Sequence, residues 1–371
     1  MRSVSESHMD IERFTLGLRA ATLLWLAVMS VTAPASAQVR HPDNAVWLGH
    51  AYVTTQSYVD KIPILAHDMK ENYHVLYWFV NVGKVNSSGQ IIGGAAGLGK
   101  AVAFLNALNA WEASHGYQFK VLAWVNGTLT KTDPNFIDVG NPANRQGIAN
   151  ECQKLISTTV PGSYVAGATR AFDGIQIDFE PSGQDAARFD NLKTLMDEIL
   201  SALTTSPGKL TSFAAPKSGT TSQWFWSPTF YYYMGRHVDL LAAMTYDTKL
   251  TTGASYQDWM RDQSVEILRA VSGQFWNNDA THPAPTNGVK IIIGFPAFPA
   301  SPVHDPKAEN IKYAAPGLDA GLNILQSNGD PSASYLQGAG VFLHTDGTGR
   351  DSYASRSKDW WWFGHFWLGV W

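Results

Sequence analysis

The stretch FDGIQIDFEPSG, Phe172 to Gly183, decides the fold and poses the chemical question. In an extended strand side chains alternate, so Ile175, Ile177 and Phe179 share one face while Gln176, Asp178 and Glu180 share the other. A strand this apolar normally excludes carboxylates, because burying an ionised one is costly unless it is paired or solvated. Two carboxylates and an amide on one face therefore point to a strand whose polar side lines a site. Consecutive members of that face lie roughly 6.6 Å apart along the chain, close enough for their side chains to interact. A Glu held beside an Asp and partly withdrawn from water has its pKa raised, which suits a general acid. The competing reading is a structural polar network or a cation site. A cation would need further carboxylates from other strands, for which Asp247 and Asp346 are the candidates.

Working outward, seven more runs resemble this one: VWLGHAYV near Val46, HVLYWFVNVG from His74, FKVLAWVNG from Phe119, KLTSFAAP from Lys209, DLLAAMTYD from Asp239, VKIIIGFPAF from Val289 and GAGVFLHTDG from Gly338. They are nearly continuously apolar, the pattern of parallel strands covered on both sides. Segments with helical spacing separate them, among them those starting at Leu98, Asp185 and Ser255. Eight strands alternating with helices predict an α/β fold, a closed (β/α)8 barrel of the TIM type. In such a barrel the polar face of the opening stretch points inward, with Gln176 deepest and Glu180 at the open end. The Pro-, Gly- and Ser-rich stretches follow strands and read as long loops at the catalytic end rather than as linkers, so a single domain over 38–371 is expected.

The first residues read as an export signal. A basic start with Arg13 and Arg19 leads into AATLLWLAVMSVTA, Ala20 to Ala33, and then PASA, Pro34 to Ala37, with small residues where a secretory peptidase cuts. Cleavage after Ala37 is expected, with Met9 as an alternative start and a secreted or periplasmic location. The apolar run is shorter than the roughly 20 residues that span a bilayer, so no membrane span is expected in the mature protein. Lys and Arg number 27 against 31 Asp and Glu, a net charge of -4, and no basic run interleaved with aromatics marks a nucleic-acid surface. The single cysteine, Cys152, rules out an internal disulfide and reads as a core residue of a helix.

Other signals carry less. GGAAGLGKA, Gly93 to Ala101, has the spacing of a phosphate loop but Ala101 where Ser or Thr would hold magnesium, and reads as a glycine-rich entry to a helix. The histidines show no compact ligand spacing, and no metal or cofactor is expected. Ser182 and Ser218 lack the surroundings of a nucleophile elbow. The tail DWWWFGHFWLGVW, Asp359 to Trp371, reads as an aromatic helix that closes the barrel, with a sugar or membrane contact surface as the alternative.

DGIQIDFE resembles the DGxDxDxE signature of the family 18 glycoside hydrolases, the chitinase-like enzymes. MTYD, Met244 to Asp247, is similar to the segment after that family's sixth strand, IIIGFPAF, Ile291 to Phe298, to its seventh, and GAGVFLHTDG to its eighth. The resemblance implies a retaining hydrolase of a polysaccharide or oligosaccharide, without an enzyme nucleophile. Glu180 would protonate the glycosidic oxygen while the substrate's own acetamido oxygen attacks the anomeric carbon. Asp178 would orient the acetamido group and support the positive charge, Tyr246 would donate to its oxygen, and Asp247, with Met244 beside it, would line the subsite. Among the tryptophans, Trp78, Trp124, Trp224 and Trp226 are candidates to stack on sugar faces. Two departures stand out: Gln176 replaces the deepest acid of the signature and would offer Asp178 an amide donor, and His344 stands where a tryptophan would floor the central subsite. A different glycan, slower turnover, or binding without hydrolysis are the alternatives these departures leave open.

Overall fold

The computed structural model describes residues 43–204, 206–343 and 357–369. The proposed signal segment lies outside these residues. Eight strands close into a barrel in chain order: β1 Asn44–Leu48, β2 Val75–Lys84, β3 Lys120–Thr128, β4 Gly174–Glu180, β5 Leu210–Pro216, β6 Leu240–Met244, β7 Lys290–Pro296 and β8 Leu336–Phe342. Every neighbouring pair is parallel, including β8 with β1. All eight expected strands are present. The first is shorter than its apolar run, because the chain leaves β1 at Gly49 and winds His50–Val53 into a 3-10 turn. The sixth likewise ends at Met244, and Asp247 takes a left-handed backbone with φ of 58°.

Helices follow the strands on the outside: α1 Ile62–Glu71, α2 Ala101–His115, α3 Pro142–Ile156, α4 Ala186–Leu203, α5 Pro228–Met234, α6 Gly253–Ser272, α7 Ile311–Ser327 and α8 Ser357–Trp362. Local chemistry sets several starts. Asp185 accepts from the Arg188 N–H, Thr252 from Ser255 and Ser227 from Phe230, each filling one of the donors a helix N-terminus leaves free. Cys152 is buried on α3.

The alternation of the strands sorts the core into two layers. Outward residues such as Val121, Ile175, Ile177, Phe179 and Phe213 join the helices in one large apolar cluster. Inward residues fill the barrel: Ala45, Trp47, Phe79, Leu122, Trp124, Leu240, Ala242 and Ile292. Large and small side chains are matched across this interior. Gly340 is an example, since a Cβ there would sit 2.5 Å from the Trp47 ring. The final segment is apolar packing: Trp360, Phe363, Trp367 and Leu368 are buried, Phe363 and Trp367 meet Phe295 edge to face, and the Trp367 indole N–H donates to Asn44 Oδ1 at 2.8 Å. That agrees with the closing-helix reading of the tail. Among the described residues, no helix is long and apolar enough to cross a membrane.

Candidate active site

The inward face of β4 climbs from the packed interior to the mouth. Gln176 is fully buried, while Asp178 and Glu180 are half-buried. The β3 register sets Trp124, Asn126 and Thr128 beside these three in turn, and Ser212 of β5 lies beside Gln176. The residues therefore read as two storeys. In the lower one the Trp47 indole donates to Gln176 Oε1 at 2.8 Å, and the Gln176 amide donates to Ser212 Oγ at 3.3 Å. In the upper one the Trp124 indole donates to Asp178 Oδ2 at 2.9 Å.

This corrects two expectations. The Gln176 amide hydrogen is directed to Ser212 and not to Asp178, and Gln176 lies beneath the floor of the site rather than on its surface. Its neutral side chain is bonded at both the oxygen and the nitrogen there, whereas a second acid would be a buried charge. Trp78 is the third correction among the site candidates. By alternation it points out of the barrel, is fully buried, and packs on Phe119 and Phe104 at ring separations of 4.7 and 6.4 Å. Trp226 is likewise core, donating to Ser182 Oγ at 2.9 Å. Trp124 lies in the site but is only 5% exposed, edge to face against Phe342, so it offers no open face for a sugar. Trp224, by contrast, is exposed on the loop after β5, and that loop packs on the loop after β4 through the Gly183 N–H to Gln223 O bond of 2.9 Å. His344 and Asp346 lie outside the described residues.

Beyond β6 the chain supplies Met244, half-buried, then Tyr246 and Asp247. Tyr246 is buried, stacked on Phe342 and edge-on to Phe298. Glu309 fixes this loop from behind: its carboxylate accepts from the Thr248 N–H at 3.1 Å and the Thr248 hydroxyl at 2.9 Å. Thr245 donates its hydroxyl to Gly294 O at 2.7 Å and accepts at its carbonyl from Tyr256. His304 stacks on Phe298 and lies 3.4 Å from Glu309, a buried pair behind Asp247.

Towards the carboxyl ends of β3, β4 and β6 four polar atoms are buried without a hydrogen-bond partner among the described residues, Asn126 Oδ1, Asp178 Oδ1, Tyr246 Oη and Asp247 Oδ1, as are both ring nitrogens of His304. Buried polar atoms are almost always paired, so four gathered from three stretches of the barrel rim mark a surface built to make hydrogen bonds.

The electrostatics separate the two carboxylates. Burial pushes up the pKa of Glu180, and the negative charge of Asp178 pushes it further, against the opposing pull of Lys217. Burial also raises Asp178, but the Trp124 N–H stabilises its ionised form, with help from Lys84. Glu180 is therefore the group that keeps its proton and Asp178 the group that loses one. Burial raises Asp247 too, offset by His304 and Lys217. Lys217, following β5, is buried with its ammonium 4.8 Å from the centre of the Phe225 ring. Its own pKa is lowered by burial, offset by Asp247, Glu180 and Glu309. Among the described residues, no three His, Cys, Asp or Glu side chains are placed to hold a metal ion.

Sequence reasoning missed Asn126, Lys217 and the His304 and Glu309 pair. Asn126 was within reach, since the period of two that places Trp124 inward places Asn126 above it. Lys217 is the polar residue that ends the apolar β5 run, the same signal that marks Glu180. Nothing local marks Glu309, which reaches Thr248 across 61 residues of chain.

Comparison with known proteins agrees with the barrel fold. The model of the glycosyl hydrolases family 18 matches residues 50–365. The Ostrinia furnacalis Group IV chitinase is similar in fold, with 15% identity and a TM-score of 0.53, covering 88% of this chain and 99% of its own. A chitinase from Bacteroides thetaiotaomicron is similar at 14% identity and a TM-score of 0.51, covering 88% of this chain and 96% of its own. At these identities the likeness shows the shared barrel. No curated protein matches the chain. With the family's model spanning the barrel from the turn after β1 to the closing aromatic segment, the chain belongs to the glycosyl hydrolases family 18.

Proposed function

We propose that the protein is an exported glycoside hydrolase that cleaves a β-linked glycan containing an N-acetylated sugar, with retention of configuration. Family membership implies a carbohydrate substrate. The observation that carries the finer reading is the set of unpartnered atoms around the carboxylate pair: Asp178 Oδ1, Tyr246 Oη and Asn126 Oδ1 next to a Glu180 that holds its proton. An acetamido group offers an N–H donor and a carbonyl acceptor, which matches a carboxylate oxygen and a phenol hydroxyl.

In this mechanism Glu180 donates its proton to the glycosidic oxygen as the bond to the anomeric carbon breaks. The acetamido oxygen attacks that carbon from the opposite side, closing an oxazolinium ring and placing positive charge on the sugar. Asp178 accepts from the acetamido N–H and stabilises that charge, and Tyr246 donates to the acetamido oxygen. The leaving group departs, Glu180, now ionised, removes a proton from water, and the water opens the ring. This substrate-assisted route needs no protein nucleophile and lies outside the two-carboxylate rule. Asp247 and Met244 line the sugar subsite in this reading.

Purified protein assayed on defined N-acetylated oligosaccharides, with Glu180→Gln as control, tests the proposal. Turnover that falls by about 10²- to 10⁴-fold in the variant is expected, and equal turnover would remove Glu180 from the mechanism. A second reading, glycan binding with little hydrolysis, draws support from the uncharged Gln176 under Asp178. Binding of the same oligosaccharides by the wild type with no products would favour it. Export is also a proposal: sequencing the N-terminus of protein recovered outside the cytoplasm should give Gln38 as the first residue, and an intact Met1 or Met9 there would refute cleavage after Ala37.

A further inference from the structure

Asp178 has its two oxygens in different circumstances. Oδ2 accepts the Trp124 indole N–H at 2.9 Å, while Oδ1 has no partner among the described residues. The groups below it are already engaged: Gln176 accepts from Trp47 and donates to Ser212, and an amide has no proton to exchange with a carboxylate. The Trp124 ring cannot turn away easily, being buried and edge-on to Phe342 at 5.8 Å. Asp178 is therefore tied from one side and cut off from below.

We propose that Trp124 is a positioning residue that locks Asp178 in a single orientation, with Oδ1 as the one acceptor offered to the substrate. Resting on the hydrolase reading above, the inference adds that Asp178 keeps this orientation throughout the cycle, with no proton shared across the layer beneath. The charged and titratable groups around Asp178 are Glu180 on its own strand, Lys84 at the end of β2 and Tyr246 beyond β6. Of these and Trp124, only Trp124 donates a hydrogen bond to Asp178 in the structure. A charge-assisted N–H bond of this kind both fixes geometry and favours the ionised carboxylate.

The test is a cycle of Trp124→Phe, Asp178→Ala and the double variant on an N-acetylated oligosaccharide. In Trp124→Phe, kcat should fall about 10- to 100-fold with KM little changed. The acidic limb of kcat/KM should move to higher pH, because the ionised form of Asp178 has lost its donor. The double variant should be no slower than Asp178→Ala alone, since Trp124 acts only through Asp178. Losses that multiply, or an acidic limb that stays in place, would overturn the assignment. A readout independent of turnover uses the unsubstituted chain. The indole ¹⁵N–¹H signal of Trp124 should shift as Asp178 titrates and should lose that titration in Asp178→Ala. An indole signal indifferent to both would overturn the lock even if Trp124→Phe does not fold. If the wild type hydrolyses nothing while the indole signal tracks Asp178, the hydrolase reading fails and the positioning role stands.

Discussion

Glu180 is raised by burial and by Asp178 and held down by Lys217, and each influence can be removed singly. The proposed mechanism requires Glu180 protonated and Asp178 ionised, so kcat/KM should fall on the alkaline side as Glu180 loses its proton, well above the ordinary range for a glutamate. Lys217→Met removes a cation that favours the ionised form, so the alkaline limb should move to still higher pH, as a pH profile of the variant will show. The same shift bears on stability. Because the folded-state pKa lies above the unfolded one, the contribution of Glu180 is full below the unfolded value and is lost as pH rises through the folded one. Glu180→Gln cannot ionise, so it should melt above the wild type on the alkaline side of that window and match it in acid. Thermal melts across pH would expose the opposite order, which would mean that Glu180 is ionised and satisfied in the fold. At this scale the candidate site was legible where period two applies: Gln176, Asp178 and Glu180 do share an inward face. It was illegible where hydrogen-bond partners decide the role. No pattern in β4 says that the Gln176 amide turns to Ser212 or that the Asp178 donor comes from Trp124, 54 residues earlier.

The strands fix where that site stands. Gly174 opens β4, and a Cβ there would lie 2.1 Å from the Leu210 carbonyl oxygen of β5, a backbone atom that cannot move without parting the two strands. Gly174→Ala is expected to cost about 1–3 kcal/mol and to displace the strand that carries all three polar residues. Activity lost per folded molecule as well as stability would be seen in melts and assays together, whereas unchanged melts would show that β4 and β5 have slack. At the start of α4, Asp185→Ala removes the cap on the Arg188 N–H and should cost about 1 kcal/mol, with turnover unaffected. Element existence was legible for all eight strands because continuous apolar runs bounded by Gly, Pro and Asp are a strong signal. Their ends were less so. VWLGHAYV and DLLAAMTYD read as uninterrupted strands, yet β1 stops at Leu48 ahead of the 3-10 turn His50–Val53 and β6 stops at Met244, three residues before the left-handed Asp247, since turns are set by backbone conformation that an apolar count does not register. The same limit explains Trp78, whose face depends on register alone and which points to the helices.

Across the molecule the barrel closes with its aromatic tail. Trp367 is buried against Phe295 and bonded to Asn44 of β1, so the last helical turn joins the first strand to the seventh. Trp367→Ala should cost about 3–5 kcal/mol while leaving turnover per folded molecule intact, and denaturant titration beside an activity assay separates the two. The closed barrel, and the rim on which the loops after the strands gather, were readable from the alternation of eight strands with helices. What the glycan is depends on loops from several strands meeting in space, which sequence order does not display. The central claim is that Glu180 works with the substrate's own acetamido group, and one measurement addresses it most directly: ¹H NMR of the first products from matched β-linked oligosaccharides with and without N-acetylation. The β-anomer should appear first, from the N-acetylated substrate alone, with Glu180→Gln silent on both. An α-anomer, or equal hydrolysis of the substrate lacking the acetyl group, would contradict it.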